Sequence, residues 1–161
     1  MDTFKAVVIL LVEDDPGDQK LVKKSLDREK IANELYITNS GEEAMEYLNR
    51  SKTGDVNSPM PDLILLDLNM PGMGGQEFLK RLKADNELDT IPVVILTTSD
   101  SDKDILETFK LHASGYIKKP GSLAEFKTIM QNVSEYWFVI CKRVNHASEQ
   151  QNRDNLCIVG R

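Results

Sequence analysis

Cysteine, histidine and long apolar runs are scarce in this chain, and each shortage removes a class of function. Only two cysteines occur, Cys141 and Cys157, and neither stands in a metal-ligand spacing. Reduced thiols are the better reading than a disulfide framework. The two histidines, His112 and His146, read as surface residues, His112 near a helix C-terminus where positive charge is favoured. No apolar run approaches the roughly 20 residues that span a bilayer. Residues 1–5 lack a signal-peptide layout, because Ala6–Val12 is short and leads straight into acids. Basic residues are outnumbered 20 to 26, and the net charge of -6 disfavours nucleic acid and anionic membrane as partners. Internal repeats and low-complexity segments are absent. The expected address is the cytoplasm.

What is present is a chain of 161 residues, 40% hydrophobic and 29% charged, enough for one domain with a real core. Apolar runs alternate with helical patterns five times. The runs are Ala6–Val12, Leu35–Thr38, Leu63–Leu68, Val93–Thr97 and Gly115–Lys118. Most are nearly continuous rather than alternating, as in strands buried on both faces of a parallel sheet. Between them, Asp18 is a candidate cap for a helix over Gln19–Lys30. Ser40 and Glu43 form a capping box for Gly41–Arg50. Gln76–Ala84 carries Phe78, Leu79 and Leu82; Asp102–His112 carries Ile105, Leu106, Phe109 and Leu111. Ser122 and Glu125 repeat the box before Leu123–Val144. Ser51–Pro61 reads as a mobile surface connection, and Asn145–Arg161 as an irregular tail behind a domain over 1–144.

Strand–helix alternation with short connections predicts right-handed βαβ units and an open, doubly wound α/β sheet. Ligands bind such sheets beyond the carboxyl ends of the strands. There the first run enters Glu13, Asp14 and Asp15, the third ends at Asp67, the fourth at Thr97 and Thr98, and the fifth at Lys118 and Lys119. Asp15, before Pro16, reads as a turn residue or helix cap. Asp67 follows four apolar strand residues and precedes Leu68, so it should be buried, and a buried acid requires partners. Thr97 is either a β-favouring core residue or a hydroxyl at the site. Lys118 reads as surface, whereas Lys119 stands at the strand end before proline. Carboxylates converging in a partly desolvated pocket repel unless a cation compensates, and oxygen-only ligands suit Mg²⁺. A carboxylate beside such a cation is well placed to attack phosphorus.

Four segments together resemble the receiver domains of two-component response regulators: Ile9–Asp15, Pro61–Gly72, Pro92–Thr98 and Gly115–Pro120. They cover the chain from about residue 6 to 140, in family order. The resemblance implies a flavodoxin-like five-stranded parallel sheet in the order 2-1-3-4-5, with five helices, the last extended. It makes Asp67 the acceptor of a phosphoryl group from a sensor histidine kinase. Asp14, Asp67 and the backbone carbonyl of Asn69 would hold Mg²⁺, with Glu13 acting through water; Mn²⁺ or Ca²⁺ could substitute. Thr97 and Lys119 would bind the phosphoryl group, Lys119–Pro120 would be a cis peptide, and Tyr116 would be the aromatic switch. Asn69 and Ser99 would tune an ordinary, labile lifetime. Within the family, the Ser51–Pro61 loop, Glu13–Asp18 and Glu135–Phe138 look like the single-domain phytochrome-associated regulators, which implies a phytochrome-type kinase.

The 17 residues beyond Val144 are too few for an output domain, so the expected output is a contact rather than an enzyme activity. Leu123–Val144 as a helix would span about 33 Å against about 17 Å for a five-residue strand, so it should overhang the sheet. Its far half carries Tyr136, Trp137, Phe138 and Ile140, a candidate homodimer or kinase-docking surface with the fourth helix and fifth strand. Two rivals remain. A haloacid-dehalogenase-type phosphatase would place a second acid where Asn69 stands. A pseudo-receiver would be an interaction module that never takes phosphate.

Overall fold

The computed structural model describes residues 6–27, 33–97, 107, 109–119, 124, 125, 128, 131 and 132, with the backbone alone at Thr97 and Lys118. Five strands, β1 (Val7–Val12), β2 (Asn33–Thr38), β3 (Leu63–Asp67), β4 (Val93–Thr97) and β5 (Gly115–Lys118), form one parallel sheet in the order β2-β1-β3-β4-β5. This is the expected flavodoxin-like order. The helices α1 (Pro16–Asp27), α2 (Gly41–Lys52) and α3 (Gly75–Lys83) connect the strands. Helical residues also occur at 107, 109 and 110, and at 124, 125, 128, 131 and 132, inside the two further expected helices.

The continuous apolar runs are explained by helices on both faces. Side chains alternate across a strand, so each run supplies two cores. Leu10, Val12, Ile64, Leu66, Val93 and Ile95 point to one side and pack with Ala44, Tyr47 and Leu48 of α2 and Phe78, Leu79 and Leu82 of α3. Val7, Ile9, Leu11, Leu63, Leu65, Val94 and Leu96 point to the other, against Val22 and Leu26 of α1. All six residues of β1 are buried.

The ends of the elements differ from expectation at three places. First, α1 begins at Pro16, and its cap is Asp15, whose Oδ2 accepts the Asp18 N–H at 3.0 Å; Asp18 is not the cap. Proline suits the first helical position, where its missing N–H is no loss. Second, Ser51–Pro61 runs along the surface as expected but is tied down. Ser51 and Lys52 complete α2, Ser51 and Ser58 are buried, Tyr47 donates its hydroxyl to the Pro59 carbonyl at 2.7 Å, and Arg50 Nε donates to Ser58 Oγ at 3.2 Å. Third, Phe109 is 50% exposed and lies off the expected apolar stripe, while Leu111 packs against the core. The chain leaves helical geometry at His112, exposed in the left-handed region at φ 62°. The Ser40 cap is as expected, with the Glu43 N–H donating to Ser40 Oγ at 3.1 Å, and Glu43 returns a carboxylate to the Asn39 N–H at 2.8 Å.

Candidate functional site

Strand register brings the site together. Val12 pairs with Leu66 across β1 and β3, so Glu13 leaves the sheet beside Asp67. Asp67 pairs with Leu96, and Thr97 with Lys118, so Lys119 emerges one residue past the paired ends. Strand order reverses between β1 and β3, the neighbours of opposite winding, where the helices diverge and leave a crevice.

Carboxylate oxygens of Glu13, Asp14 and Asp67 lie within 4.8 Å of one another. Glu13 is 1% exposed and Asp67 6%, whereas Asp14 is half-buried. Lys119 reaches in from the end of β5, its side chain 7% exposed. Its Nζ donates to Glu13 Oε2 at 3.0 Å and to Asp18 Oδ2 at 2.8 Å, and stands 3.8 Å from Asp67 Oδ2. Asp67 Oδ1 accepts the Asn69 N–H at 3.2 Å. Among the described residues, Lys119 is the one cation in ion-pair contact with these acids.

One ammonium cannot neutralise four carboxylates. Burial pushes the Glu13 carboxyl up to about 8, against the pull of Lys119 and with added repulsion from Asp67. Burial also raises Asp67, opposed by Lys119 and by the Asn69 N–H. Burial alone would lower Lys119, but its bonds to Asp18 and Glu13 outweigh this and hold it above its ordinary value. Among the described residues Glu13 Oε1 is a buried oxygen with no donor, and it faces the Asp67 carboxyl. When Glu13 is ionised, that oxygen needs a compensating cation or donor. A hard, oxygen-only donor set with an unmatched negative charge fits Mg²⁺, Mn²⁺ or Ca²⁺.

The surrounding loops are fixed by groups with no part in the expected site. Gln19 Nε2 donates to the Glu13 carbonyl at 2.6 Å and to Asn39 Oδ1 at 2.7 Å, tying α1 to the ends of β1 and β2. Glu42 Oε1 accepts the Met73 N–H at 2.7 Å and so anchors the β3–α3 loop. Gly75 permits that loop to close. A Cβ there would stand 2.4 Å from the Asp67 carbonyl oxygen and 2.7 Å from Leu68 Cα.

The structure thus brings together Glu13, Asp14, Asp67 and Lys119, with exposed Asn69 beside them. Tyr116 is half-buried on the face of β5 that packs against the α2–α3 core. Thr97 ends β4 at the same sheet edge. Its side chain, Ser99, the Lys119–Pro120 peptide, and Tyr136, Trp137, Phe138 and Ile140 lie outside the described residues. Asp18 was missed as a partner of Lys119. Pro16 at the helix start makes Asp15 the cap and puts Asp18 on the first turn, but its meeting with Lys119, 101 positions away, is set by the fold.

A parallel sheet whose strand ends carry this acid cluster and a buried lysine defines a class, and comparison agrees. The response regulator receiver domain model matches residues 9–131, and the chain belongs to that family. It is 40% identical over 130 residues to response regulator Rcp1 of Synechocystis, covering 81% of this chain and 88% of that protein. The crystal structure of the Mn²⁺-bound form of Rcp1 aligns with TM-score 0.75, covering 81% of this chain and 94% of that one. The crystal structure of the phosphorylated cyanobacterial phytochrome response regulator RcpA aligns with TM-score 0.77 at 38% identity, covering 83% and 95%. Among the described residues, no helix is long and apolar enough to cross a membrane.

Proposed function

We propose that this chain is a phosphorylation switch in which Asp67 accepts a phosphoryl group from a histidine kinase. The observation that carries the reading is the unmatched charge at the crevice. Among the described residues Glu13, Asp18 and Asp67 share one lysine, Asp14 lies beside them, and Glu13 Oε1 has no donor. Asp14, Asp67 and the Asn69 carbonyl would hold Mg²⁺, with Glu13 acting through water. Mn²⁺ is an equally fitting hard cation, as the Rcp1 structure illustrates for that relative. Bound there, the cation supplies neutralisation of the transferring phosphoryl oxygens.

A carboxylate oxygen of Asp67 attacks phosphorus in line, the bond to the donor breaks, and an acyl phosphate forms. The Asn69 N–H holds Oδ1 and so orients the other oxygen. Lys119 moves its ammonium toward the phosphoryl oxygens, joined by the Thr97 hydroxyl. Tyr116 follows Thr97 inward, and Asn69 and Ser99 set the lifetime. The chain gains and loses its own phosphoryl group but turns over no other substrate. Signalling would run through the end of the last helix, with Tyr136, Trp137, Phe138 and Ile140 as a homodimer or docking face. The likeness to RcpA, a phytochrome response regulator, supports a phytochrome-type kinase as donor.

Incubation with Mg²⁺ and acetyl phosphate, followed by intact-mass measurement, tests the reading. One phosphoryl adduct is expected on the wild type and none on Asp67→Asn. Catalytic release of phosphate from varied esters would instead mark a phosphatase, and inertness toward both acetyl phosphate and a phosphorylated kinase would mark a pseudo-receiver.

A further inference from the structure

Lys119 is not waiting on the phosphoacceptor. Among the described residues its hydrogen bonds go to Asp18 at 2.8 Å and Glu13 at 3.0 Å, while Asp67 at 3.8 Å is within electrostatic reach only. We propose that Asp18 is a positioning residue, a latch that holds the Lys119 ammonium away from Asp67 and competes for it with the incoming phosphoryl group. The inference rests on the phosphoacceptor reading and adds a control element to the same site.

The start of α1 aims the latch. Asp15 caps the helix by accepting the Asp18 N–H, which sets Asp18 on the first turn facing the end of β5. The two anchors of Lys119 differ in kind. Glu13 is sealed inside, with a side chain 2% exposed, whereas Asp18 is 29% exposed and can exchange the ammonium for water. A cation drawn to Glu13 Oε1 would leave both Glu13 Oε2 and Asp18 on the lysine, and of these two carboxylates Asp18 is the one whose place at the ammonium water can take. To grip phosphoryl oxygens in the transition state, Lys119 must break its bond to Asp18. An interaction made in the ground state and lost in the transition state slows the reaction.

Removing the Asp18 charge therefore speeds phosphorylation. A partly exposed charge-assisted bond of this kind corresponds to about two- to fivefold in rate. The experiment measures kcat/KM for phosphorylation of the full chain by acetyl phosphate at saturating Mg²⁺, in Asp18→Asn, Asp18→Ser and Asp18→Glu, with thermal melts to establish folding. The inference expects about a two- to fivefold gain in Asn and Ser, reversed in Glu, and persisting at high ionic strength, where long-range repulsion of the anionic donor is screened. An unchanged or lowered rate, or a gain that vanishes in salt, overturns the latch and leaves the phosphoacceptor reading intact. A wild type that forms no adduct overturns both.

Discussion

Glu13 makes metal uptake a proton-releasing event, and the size of the effect follows from its burial. The carboxyl is held up to about 8, so near neutral pH it carries a proton in the metal-free protein. A divalent ion at the site must displace that proton, and its affinity therefore rises with pH until Glu13 is ionised on its own. With one such group, the apparent constant falls by the factor one plus the ratio of proton concentration to the Glu13 dissociation constant. Between about pH 6.5 and pH 9 this amounts to about thirtyfold, or about 2 kcal/mol, with close to one proton released per ion at the acid end. Titration calorimetry with Mg²⁺, run in buffers of differing ionisation enthalpy, measures both quantities. In Glu13→Gln the slope should collapse, and any remainder, confined to the acid end, reports Asp67, which burial also raises. A pH-independent wild-type affinity would refute the reasoning, as would a Glu13→Gln variant that keeps the whole slope.

Two further outcomes follow from packing at the same sheet edge. Gly75→Ala would drive a Cβ into the Asp67 carbonyl and Leu68 Cα, both backbone atoms that cannot swing aside; urea melts should show a loss of about 1–3 kcal/mol, and phosphorylation by acetyl phosphate should slow as Asp67 is displaced. Asp15→Ala removes the α1 cap and should lower stability by about 1 kcal/mol in the same melts, an effect that would be absent if Asp18 were the cap after all.

The strands were readable because helices cover both faces of the sheet, which forces Ile9–Val12 and Leu63–Leu66 to be apolar without interruption. Burial also made Asp67 conspicuous, since an acid rarely follows four apolar strand residues unless it has partners. Amphipathic reading failed where the pattern was short. Phe109 fits a helical stripe by spacing but is half exposed, whereas Leu111, named in the same stripe, packs against the core; spacing alone does not say which members the sheet covers. The Ser51–Pro61 stretch reads as a mobile surface connection from its glycine and prolines; it does lie at the surface, and Tyr47 and Arg50 bind it back onto α2.

Residue types along the chain determined the strands, the sheet edge where the chemistry gathers, and most of the polar groups delivered there, because an apolar run and the polar residues that end it are neighbours in sequence. Which oxygen holds the lysine was decided only by the fold. Lys119 and Asp18 are separated by 101 positions, and their meeting depends on how far β5 extends and where α1 starts. The same holds for the Glu13 oxygen that has no donor and for the clash that only Gly75 avoids. Charge balance and close approach are sums over every neighbour in space, and a linear pattern does not contain them.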